Sequence, residues 1–287
     1  MTEQTNIANS DLTLVVGGTG KIGGRIVERL ETRGVATRAA SRSTGFDWHD
    51  PTTWDAVLEN VAIAYISYAP DLAVPGAAEA IRLFAQKAVE AGVSRLVLLS
   101  GRGEAEAQRC ERIVQAAGVD WTIVRASWFQ QNFSEGEFVE QVLAGEVTLP
   151  AGDVREPFID ADDIADVAVA ALTGDGHAGE VYEVTGPQLM TFAEAVQEIA
   201  AASGRDVRYV RVPHDAFVAG IAGSGAPAEM AWLLDYLFAQ VLDGRNAHLT
   251  DGVQRALGRE PTDFAEYARR AAASGVWDTA PARAVGS

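Results

Sequence analysis

The sequence predicts an α/β fold in which a doubly wound parallel sheet carries helices on both faces, followed by a smaller, mostly helical C-terminal lobe. Three observations support this expectation. Short apolar runs alternate with amphipathic segments over the first half of the chain, the amphipathic segments end at glycines, and this rhythm changes after Val124. Alternating strands and helices form βαβ units, and right-handed crossovers build such units into a doubly wound sheet.

The first half of the chain predicts five strands and four helices. Residues 12–16 form a short apolar run that leads into glycines, as a buried parallel strand does. In the segment that follows, Ile22, Ile26 and Leu30 share one helical face, and Gly34 ends it. Further strands are expected at 35–39, 61–66, 95–100 and 119–124, with further helices beginning at 50 and spanning 75–91 and 104–117.

The second half predicts helices at 126–145, 161–172 and 191–203, strands at 181–184 and 207–212, and mostly helix over 216–273. Thr191 is a suitable N-cap, because Glu194 three residues later completes a capping box. We expect residues 1–150 to form the sheet domain, with 153–172 and 181–184 returning to it. Residues 185–287 together with 127–145 are expected to form the C-terminal lobe, and the tail after Trp277 is expected to be frayed.

Composition limits the class of protein. With 287 residues and 48% hydrophobic content, the chain can bury a core without disulfides, and its one cysteine, Cys110, excludes an intramolecular disulfide. The first ten residues carry no secretory signal, and no apolar run reaches the ~18–20 residues that cross a bilayer. We therefore expect a cytoplasmic protein with no membrane partner.

The charge of the chain disfavours nucleic-acid binding. A net charge of −17 repels phosphate backbones. No cysteine–histidine pattern has zinc spacing, and helix N-terminal positions explain the acids at 160, 162, 163 and 166 better than a metal site does. We expect a small-molecule substrate, no nucleic acid, no bound metal, and a monomer or homodimer.

A glycine pattern follows the first predicted strand. Gly17, Gly20 and Gly23 lie between that strand and an amphipathic helix, which is the context in which such a triplet binds a dinucleotide. Glycine lets the backbone approach a pyrophosphate closely, and the helix N-terminus offers free N–H groups. The alternative is an ordinary tight turn between strand and helix. The predicted cofactor contacts in this loop are Gly17, Thr19, Gly20, Lys21, Ile22 and Gly23.

The end of the second strand distinguishes NAD from NADP. An NAD site usually places an acid there for the ribose 2′-hydroxyl, and this segment has none. Arg42 and Ser41 are expected to bind a 2′-phosphate, and Arg38 to assist or to stack on adenine. The alternative is that these arginines are solvated surface residues. Asp47 and Trp48 are candidates to flank the adenine, although Trp48 is equally suited to the core.

Loops at the carboxyl ends of the other strands should line the same crevice, because ligands of doubly wound sheets bind there. This expectation follows from topology and not from the chemistry of any one residue. The residues concerned are Ser67, Tyr68, Ala69, Ser100, Gly101, Ala126, Trp128 and Phe129.

Five segments carry a resemblance to a known family: GGTGKIGGRIVERL, FDWHDPTTW, LVLLSGRGE, WTIVRASWFQQNFSEG and REPFIDADDIADVAVAAL. Together they resemble the NmrA-like branch of the atypical short-chain dehydrogenase/reductase family, and they are most similar to bacterial members akin to the ergot-alkaloid-type iminium reductases. The resemblance implies a Rossmann domain, bound NADP(H), and a C-terminal lobe that closes a substrate pocket over the nicotinamide. The family includes redox sensors that bind cofactor without catalysis as well as reductases.

The chain departs from the wider superfamily at one point. Other members use a Tyr-x-x-x-Lys pair, in which the tyrosine supplies a proton to a carbonyl oxygen. The segment 103–110 contains neither residue. Two explanations stay open. The protein is an NADPH-dependent reductase of an activated acceptor, such as an imine or iminium, an enone, a quinone or a ketone, or it is a non-catalytic NADP(H)-sensing regulator that binds a protein partner.

Three residues are candidates for the chemistry. Ser100 ends a strand and could bond the nicotinamide carboxamide or the substrate, or simply cap the next helix. Glu104 could donate a proton if burial raised its pKa, although a first-turn helix acid is the simpler interpretation. The Asn132 amide could orient a substrate beside Trp128 and Phe129, or these residues could be packing between the lobes.

Overall fold

The computed structural model of the chain describes residues 12–136 and 138–278. The predicted lack of a signal sequence at the N-terminus and the predicted fraying of the C-terminal tail beyond 278 lie outside these residues. Close contacts divide the chain into two compact units. The first comprises residues up to Arg125, Ile164–Glu183 and Arg255–Gly258, and the second comprises Ala126–Asp163, Val184–Gln254 and the residues from Arg259 onward.

The strands are β1 Leu12–Val16, β2 Thr37–Ala40, β3 Val61–Ile66, β4 Arg95–Gly101, β5 Asp120–Ala126, β6 Glu146–Leu149, β7 Arg155–Glu156, β8 Glu180–Val184, β9 Met190–Thr191 and β10 Arg208–Arg211. The helices are α1 Lys21–Thr32, α2 Trp54–Leu58, α3 Ala77–Glu90, α4 Ala105–Gln115, α5 Val139–Ala144, α6 Ala161–Thr173, α7 Phe192–Ser203, α8 His214–Gly223, α9 Ala228–Tyr236, α10 Gly252–Leu257 and α11 Phe264–Ala273. None of these helices is long and apolar enough to cross a membrane.

The first unit is built on a six-stranded sheet with the order β2-β1-β3-β4-β5-β8. The central pairs β1–β2, β1–β3 and β3–β4 are parallel. The chain moves outward from β1 to β2 and then crosses to β3 on the other side, so the order reverses at β1. This arrangement confirms the doubly wound α/β fold, and it places the crevice of the switch point at the carboxyl ends of β1 and β3.

The second unit has its own aromatic core. Phe133, Phe158 and Phe192 are almost fully buried and pack edge to face with their neighbours. Helix α7 begins at the predicted capping box, in which Thr191 Oγ1 accepts from Glu194 N at 3.1 Å and Glu194 Oε2 accepts from Thr191 N at 2.8 Å. The predicted helix at 191–203 is therefore confirmed.

The predicted helix at 126–145 is wrong. The segment forms a 3-10 turn at Gln130–Phe133 and then the short α5. Backbone bonds hold the start of it against a distant stretch, with Gln130 N donating to Ile159 O and Ile159 N donating to Trp128 O, both at 2.9 Å. These bonds use backbone N–H and C=O groups that a continuous helix would need for its own hydrogen bonds.

The division into units also differs from the predicted domain bounds. Residues 146–163 lie in the second unit and not in the sheet domain. The reason is that β6 pairs in parallel with β10, with Glu146 opposite Arg208 and Leu149 opposite Arg211. Strand β7 likewise pairs antiparallel with β9. Strands β6, β7 and β9 have only two to four residues each and were not predicted.

Candidate functional site

The glycine loop lies directly after β1. Gly17 adopts a φ of +80°, which side chains disfavour, and its N–H donates to Ala40 O at the end of β2 at 2.8 Å. The turn is closed by a bond from Gly20 N to Gly17 O, also at 2.8 Å. Gly20 then precedes α1, and no side-chain bond caps it. The first amides of α1 are therefore available to a ligand.

The loop has no room for side chains at its glycines. A Cβ on Gly23 would lie 2.1 Å from Gly17 O, and one on Gly18 would lie 2.7 Å from Ala39 Cβ. Thr19 and Gly20 are exposed at the rim, whereas Ile22 is 3% exposed and belongs to the core. A bare backbone turn at an uncapped helix start fits a diphosphate, because no side chain stands between the ligand and the first N–H groups of the helix.

Residues of the next loops contact this turn. Ser67, after β3, packs on Gly17, since a Cβ on Gly17 would lie 3.1 Å from Ser67 Cβ. Tyr68 is 8% exposed and contacts the ring of Trp48 at a centroid distance of 5.0 Å. Ala69 is exposed. Of this predicted group, Ser67 is the residue that the structure brings against the glycine loop.

Arg38 lies against the end of α2. Its Nη1 donates to Val57 O at 2.8 Å and to Glu59 O at 2.7 Å, at the C-terminal end of α2. A guanidinium in this position satisfies carbonyls that the helix leaves free. The geometry favours a capping function for Arg38 over a phosphate contact or stacking on adenine.

Arg42 and Ser41 lie where the 2′-phosphate was expected. Arg42 begins a 3-10 turn after β2 and is exposed, and its side chain makes no hydrogen bond or ion pair within residues 12–136 and 138–278. Ser41 Oγ lies 2.8 Å from Ser43 Oγ. A free guanidinium beside two hydroxyls suits a phosphate group.

Trp48 belongs to the core of the first unit, and a contact of Trp48 or Asp47 with a nucleotide stays a prediction. It is 8% exposed, its Nε1 donates to Ser67 O at 3.3 Å, and its ring meets Phe46, Trp54 and Phe84. Asp47 Oδ1 accepts from His49 N at 2.9 Å, in a local turn. Of the two interpretations of Trp48, core packing is the one that the structure confirms.

Ser100 is turned toward α4. Its Oγ donates to Glu111 Oε1 at 2.6 Å and does not cap α4, and a contact of Ser100 or Gly101 with cofactor or substrate stays a prediction. Glu111 also receives two bonds from Arg125, at 2.5 and 2.8 Å. Arg125 in turn binds Glu183 at 2.9 Å, and Glu183 binds Arg102 at 2.6 Å. We call Arg102, Glu111, Arg125 and Glu183 the ion chain.

Glu104 lies in the loop after β4 and is 6% exposed. Its Oε2 is shielded from solvent and meets no hydrogen-bond donor in the part of the chain that the structure describes. Burial raises the pKa of Glu104 well above its usual value, and the charges of Asp71 and Glu111 raise it further. This is the condition under which the sequence predicted a proton donor.

Asp71 was not predicted; it follows β3 and lies close enough to the Glu104 side chain for each carboxyl group to affect the pKa of the other. Burial raises the pKa of Asp71, against the lowering effect of Ala73 N, which donates to Asp71 Oδ1 at 2.7 Å. An acid just before the apolar run Leu72-Ala73-Val74 was the signal that could have identified it. We call Asp71 and Glu104 the carboxyl pair.

The predicted residues after β5 belong to the second unit. Trp128 packs against Phe192 and Phe238 at centroid distances of 5.4 and 5.2 Å. Asn132 lies in the 3-10 turn, where its backbone N donates to Phe129 O at 3.1 Å. A contact of Ala126, Trp128, Phe129 or Asn132 with cofactor or substrate stays a prediction.

The acids near the start of α6 have protein partners. Asp160 is fully buried, accepts from Gln131 Nε2 at 2.7 Å and pairs with Arg270. Asp166 pairs with Arg29 at 2.8 Å. Within the ranges described, no group of three or more histidine, cysteine or acidic residues is placed to hold a metal ion.

The chain matches the model of the NmrA-like family over residues 105–268. It is 32% identical to the NAD(P)H azoreductase of Xenophilus azovorans, with 92% of this chain and 99% of that protein covered. It is also 32% identical to the agroclavine dehydrogenase of Claviceps fusiformis, over 88% of this chain and 95% of the relative. Among solved structures, the Citrobacter sp. triphenylmethane reductase complexed with NADP(H) has a TM-score of 0.73 at 18% identity, over 90% of this chain and 99% of that one, which supports the fold.

Proposed function

We propose that this chain, which belongs to the NmrA-like family and is an NAD(P)H-dependent reductase, uses NADPH and transfers hydride to a small, activated organic acceptor. The resemblance seen in the sequence is confirmed by these relatives, and the identity of the acceptor is part of the proposal.

The observation that carries the proposal is the glycine loop. The bare turn through Gly17 and Gly20 would let a diphosphate reach the first backbone N–H groups of α1, and Arg42 with Ser41 would hold the 2′-phosphate. When bound, the nicotinamide supplies the hydride, and the protein orients the two reactants and excludes water.

The acceptor class is inferred from the absence of a tyrosine and a lysine in α4. Its sequence, Ala105–Gln115, contains no tyrosine and no lysine, so the usual proton donor of carbonyl reduction is missing. An acceptor that is already activated, such as an imine, a quinone or an azo compound, accepts hydride more readily than an unactivated ketone and depends less on that tyrosine. The relatives named for azo compounds and for an ergot-type alkaloid agree with this class.

The variant Arg42→Ala tests the cofactor. A hydrogen bond to a charged group contributes about 1.5–3 kcal/mol, so the Kd for NADPH should rise roughly 10- to 100-fold while that for NADH changes little. Titration calorimetry measures both constants. Arg33→Ala, an exposed arginine just after α1, is the matched control and should change neither. An equal loss of both nucleotides in Arg42→Ala would contradict the 2′-phosphate assignment.

Turnover of a panel tests the reaction. Purified protein should oxidise NADPH with at least one neutral quinone, azo dye or cyclic imine. Tight NADPH binding without turnover of any member would refute the proposed acceptor class and favour a protein that senses the nucleotide.

A further inference from the structure

The loops after β3 and β4 bring two acidic side chains together. Both strands lie on the side of β1 opposite β2, which is the half of the carboxyl edge where the nicotinamide is expected. Asp71 comes from the first loop and Glu104 from the second, and their carboxyl groups lie close enough to interact, each affecting the pKa of the other. Two carboxyl groups this close in a buried site favour a state in which one of them carries a proton.

Gly101 makes room for this contact. A Cβ on Gly101 would lie 2.2–2.3 Å from both oxygens and the carboxyl carbon of Glu104, so the carboxyl group lies directly over the Gly101 backbone. Any larger residue at this position would displace it. The carboxyl group of Glu104 is therefore held at the end of β4 and does not extend into solvent, as its 6% exposure shows.

Among the residues described, the charged groups that act on Glu104 are two carboxyl groups, those of Asp71 and Glu111, and no positive charge acts on it. Asp71 receives a hydrogen bond from Ala73 N at 2.7 Å. Glu111 is already neutralised by Arg125 at 2.5 Å, so that arginine is engaged elsewhere. Glu104 Oε2 finds no N–H or O–H group among the residues described. An unpaired buried carboxylate is costly, and protonation removes the cost.

We propose that Glu104, with Asp71 as its neighbour, is the catalytic acid that replaces the missing tyrosine. The proposal rests on the reductase function given above. The pair carries one proton and one negative charge at neutral pH. Glu104 is the catalytic residue, and Asp71 is the positioning residue that keeps the proton on it.

The proposed reduction step balances in protons and electrons. As the nicotinamide hydride adds to one atom of a neutral C=O, C=N or N=N group, the Glu104 proton passes to the adjacent heteroatom, and the former double-bond electrons form the new O–H or N–H bond. The carboxyl pair is left with two negative charges. Water then returns one proton to it, because like charges at this distance cannot both persist in a buried site.

Proton donation by Glu104 distinguishes two classes of acceptor. A neutral quinone or azo compound needs a proton in the step and should depend on Glu104. A preformed cation, such as a triphenylmethane dye, becomes neutral when it receives hydride and needs no proton. Reduction of the neutral acceptor should therefore depend on Glu104, and reduction of the cationic acceptor should not.

The test compares Glu104→Gln with Glu106→Gln in the full chain with NADPH. Glutamine has nearly the shape of a protonated glutamate but cannot release a proton. Glu106 lies two residues further on, in the first turn of α4, with 46% of its side chain exposed, and is the matched control. With a neutral benzoquinone, Glu104→Gln should lose roughly 10²- to 10⁴-fold in kcat, the range of general-acid catalysis. With a triphenylmethane dye cation, kcat should stay at the wild-type value, and Glu106→Gln should match wild type with both.

A second readout does not need turnover. Infrared difference spectroscopy of the protein without nucleotide should show the C=O stretch of a protonated carboxylic acid at pH 7, and this band should be absent in Glu104→Gln. Asp71→Asn removes the neighbouring charge, so the band should titrate at a lower pH than in wild type.

Three results would overturn the inference: an equal loss of kcat with both acceptors, an unchanged kcat with the quinone, or no protonated carboxyl band in wild type. If wild type oxidises NADPH with no acceptor at all, the proposed function fails. The infrared band still decides in that case whether the pair holds its proton.

Discussion

The glycine loop makes a sharp prediction for the variant Gly23→Ala. The new Cβ would lie 2.1 Å from Gly17 O and 2.6 Å from Gly17 C, which are backbone atoms and cannot rotate away. The loop and α1 must separate by roughly 1.3 Å to reach an ordinary contact of 3.4 Å. Overpacking of this kind costs about 1–3 kcal/mol, and the strained bond from Gly20 N to Gly17 O adds about 1 kcal/mol. We expect unfolding free energy to fall by about 2–4 kcal/mol.

The assay is urea unfolding followed by circular dichroism, with titration calorimetry for NADPH. Gly24→Ala is the matched control, since a Cβ there meets only Gly18 O at 3.8 Å. Alanine is the better helix former by about 1 kcal/mol, so this variant should be at least as stable as wild type. Gly23→Ala should also bind NADPH more weakly, because the opened loop no longer presents its amides together. A Gly23→Ala protein with wild-type stability and affinity would refute the description of the loop as a packed cradle.

Two further predictions concern Arg38 and Glu104. Arg38→Ala should lower the unfolding free energy by about 1–3 kcal/mol, because the end of α2 loses two hydrogen bonds from one charged guanidinium. The ratio of the NADPH and NADH affinities should stay unchanged in calorimetry. For Glu104, the pKa is higher in the folded than in the unfolded chain, so its stabilising contribution is complete below about pH 4 and is lost as pH rises toward the folded pKa. The difference in unfolding free energy between wild type and Glu104→Gln should therefore shift against wild type by at most about 1.4 kcal/mol per pH unit over that range, and a flat difference from pH 4 to 8 would contradict the raised pKa.

The strands of the sheet could be predicted because the sequence patterns that specify them are contained in short, continuous segments. Residues 12–16 and 61–66 are continuous apolar runs, and they lie in β1 and β3 as expected. The glycine loop could be predicted for the same reason, since strand, turn and helix follow one another in the chain. The capping box of Thr191 is likewise contained in four residues.

Features that depend on distant partners could not be predicted. The stretch after β5 has helical periodicity, but Ile159 takes up its backbone groups. Trp48 suits both a nucleotide and a core by its chemistry, and only the positions of Phe46 and Phe84 decide between them. The arrangement of Asp71 and Glu104 depends on β3 and β4 being neighbours and on the directions of two loops. A sequence pattern does not contain those directions.

The ion chain has a consequence for how this protein tolerates change. Arg102, Glu111, Arg125 and Glu183 alternate in sign, and their side chains are 2%, 4%, 21% and 26% exposed. Loss of any one member leaves an oppositely charged, largely buried side chain without a partner. Replacing an adjacent acid and base together leaves the net charge of the ion chain at zero. Across the ends of β4, β5 and β8, viable substitutions should therefore arise as coupled doubles. Random mutagenesis with deep sequencing would record them as strong pairwise epistasis.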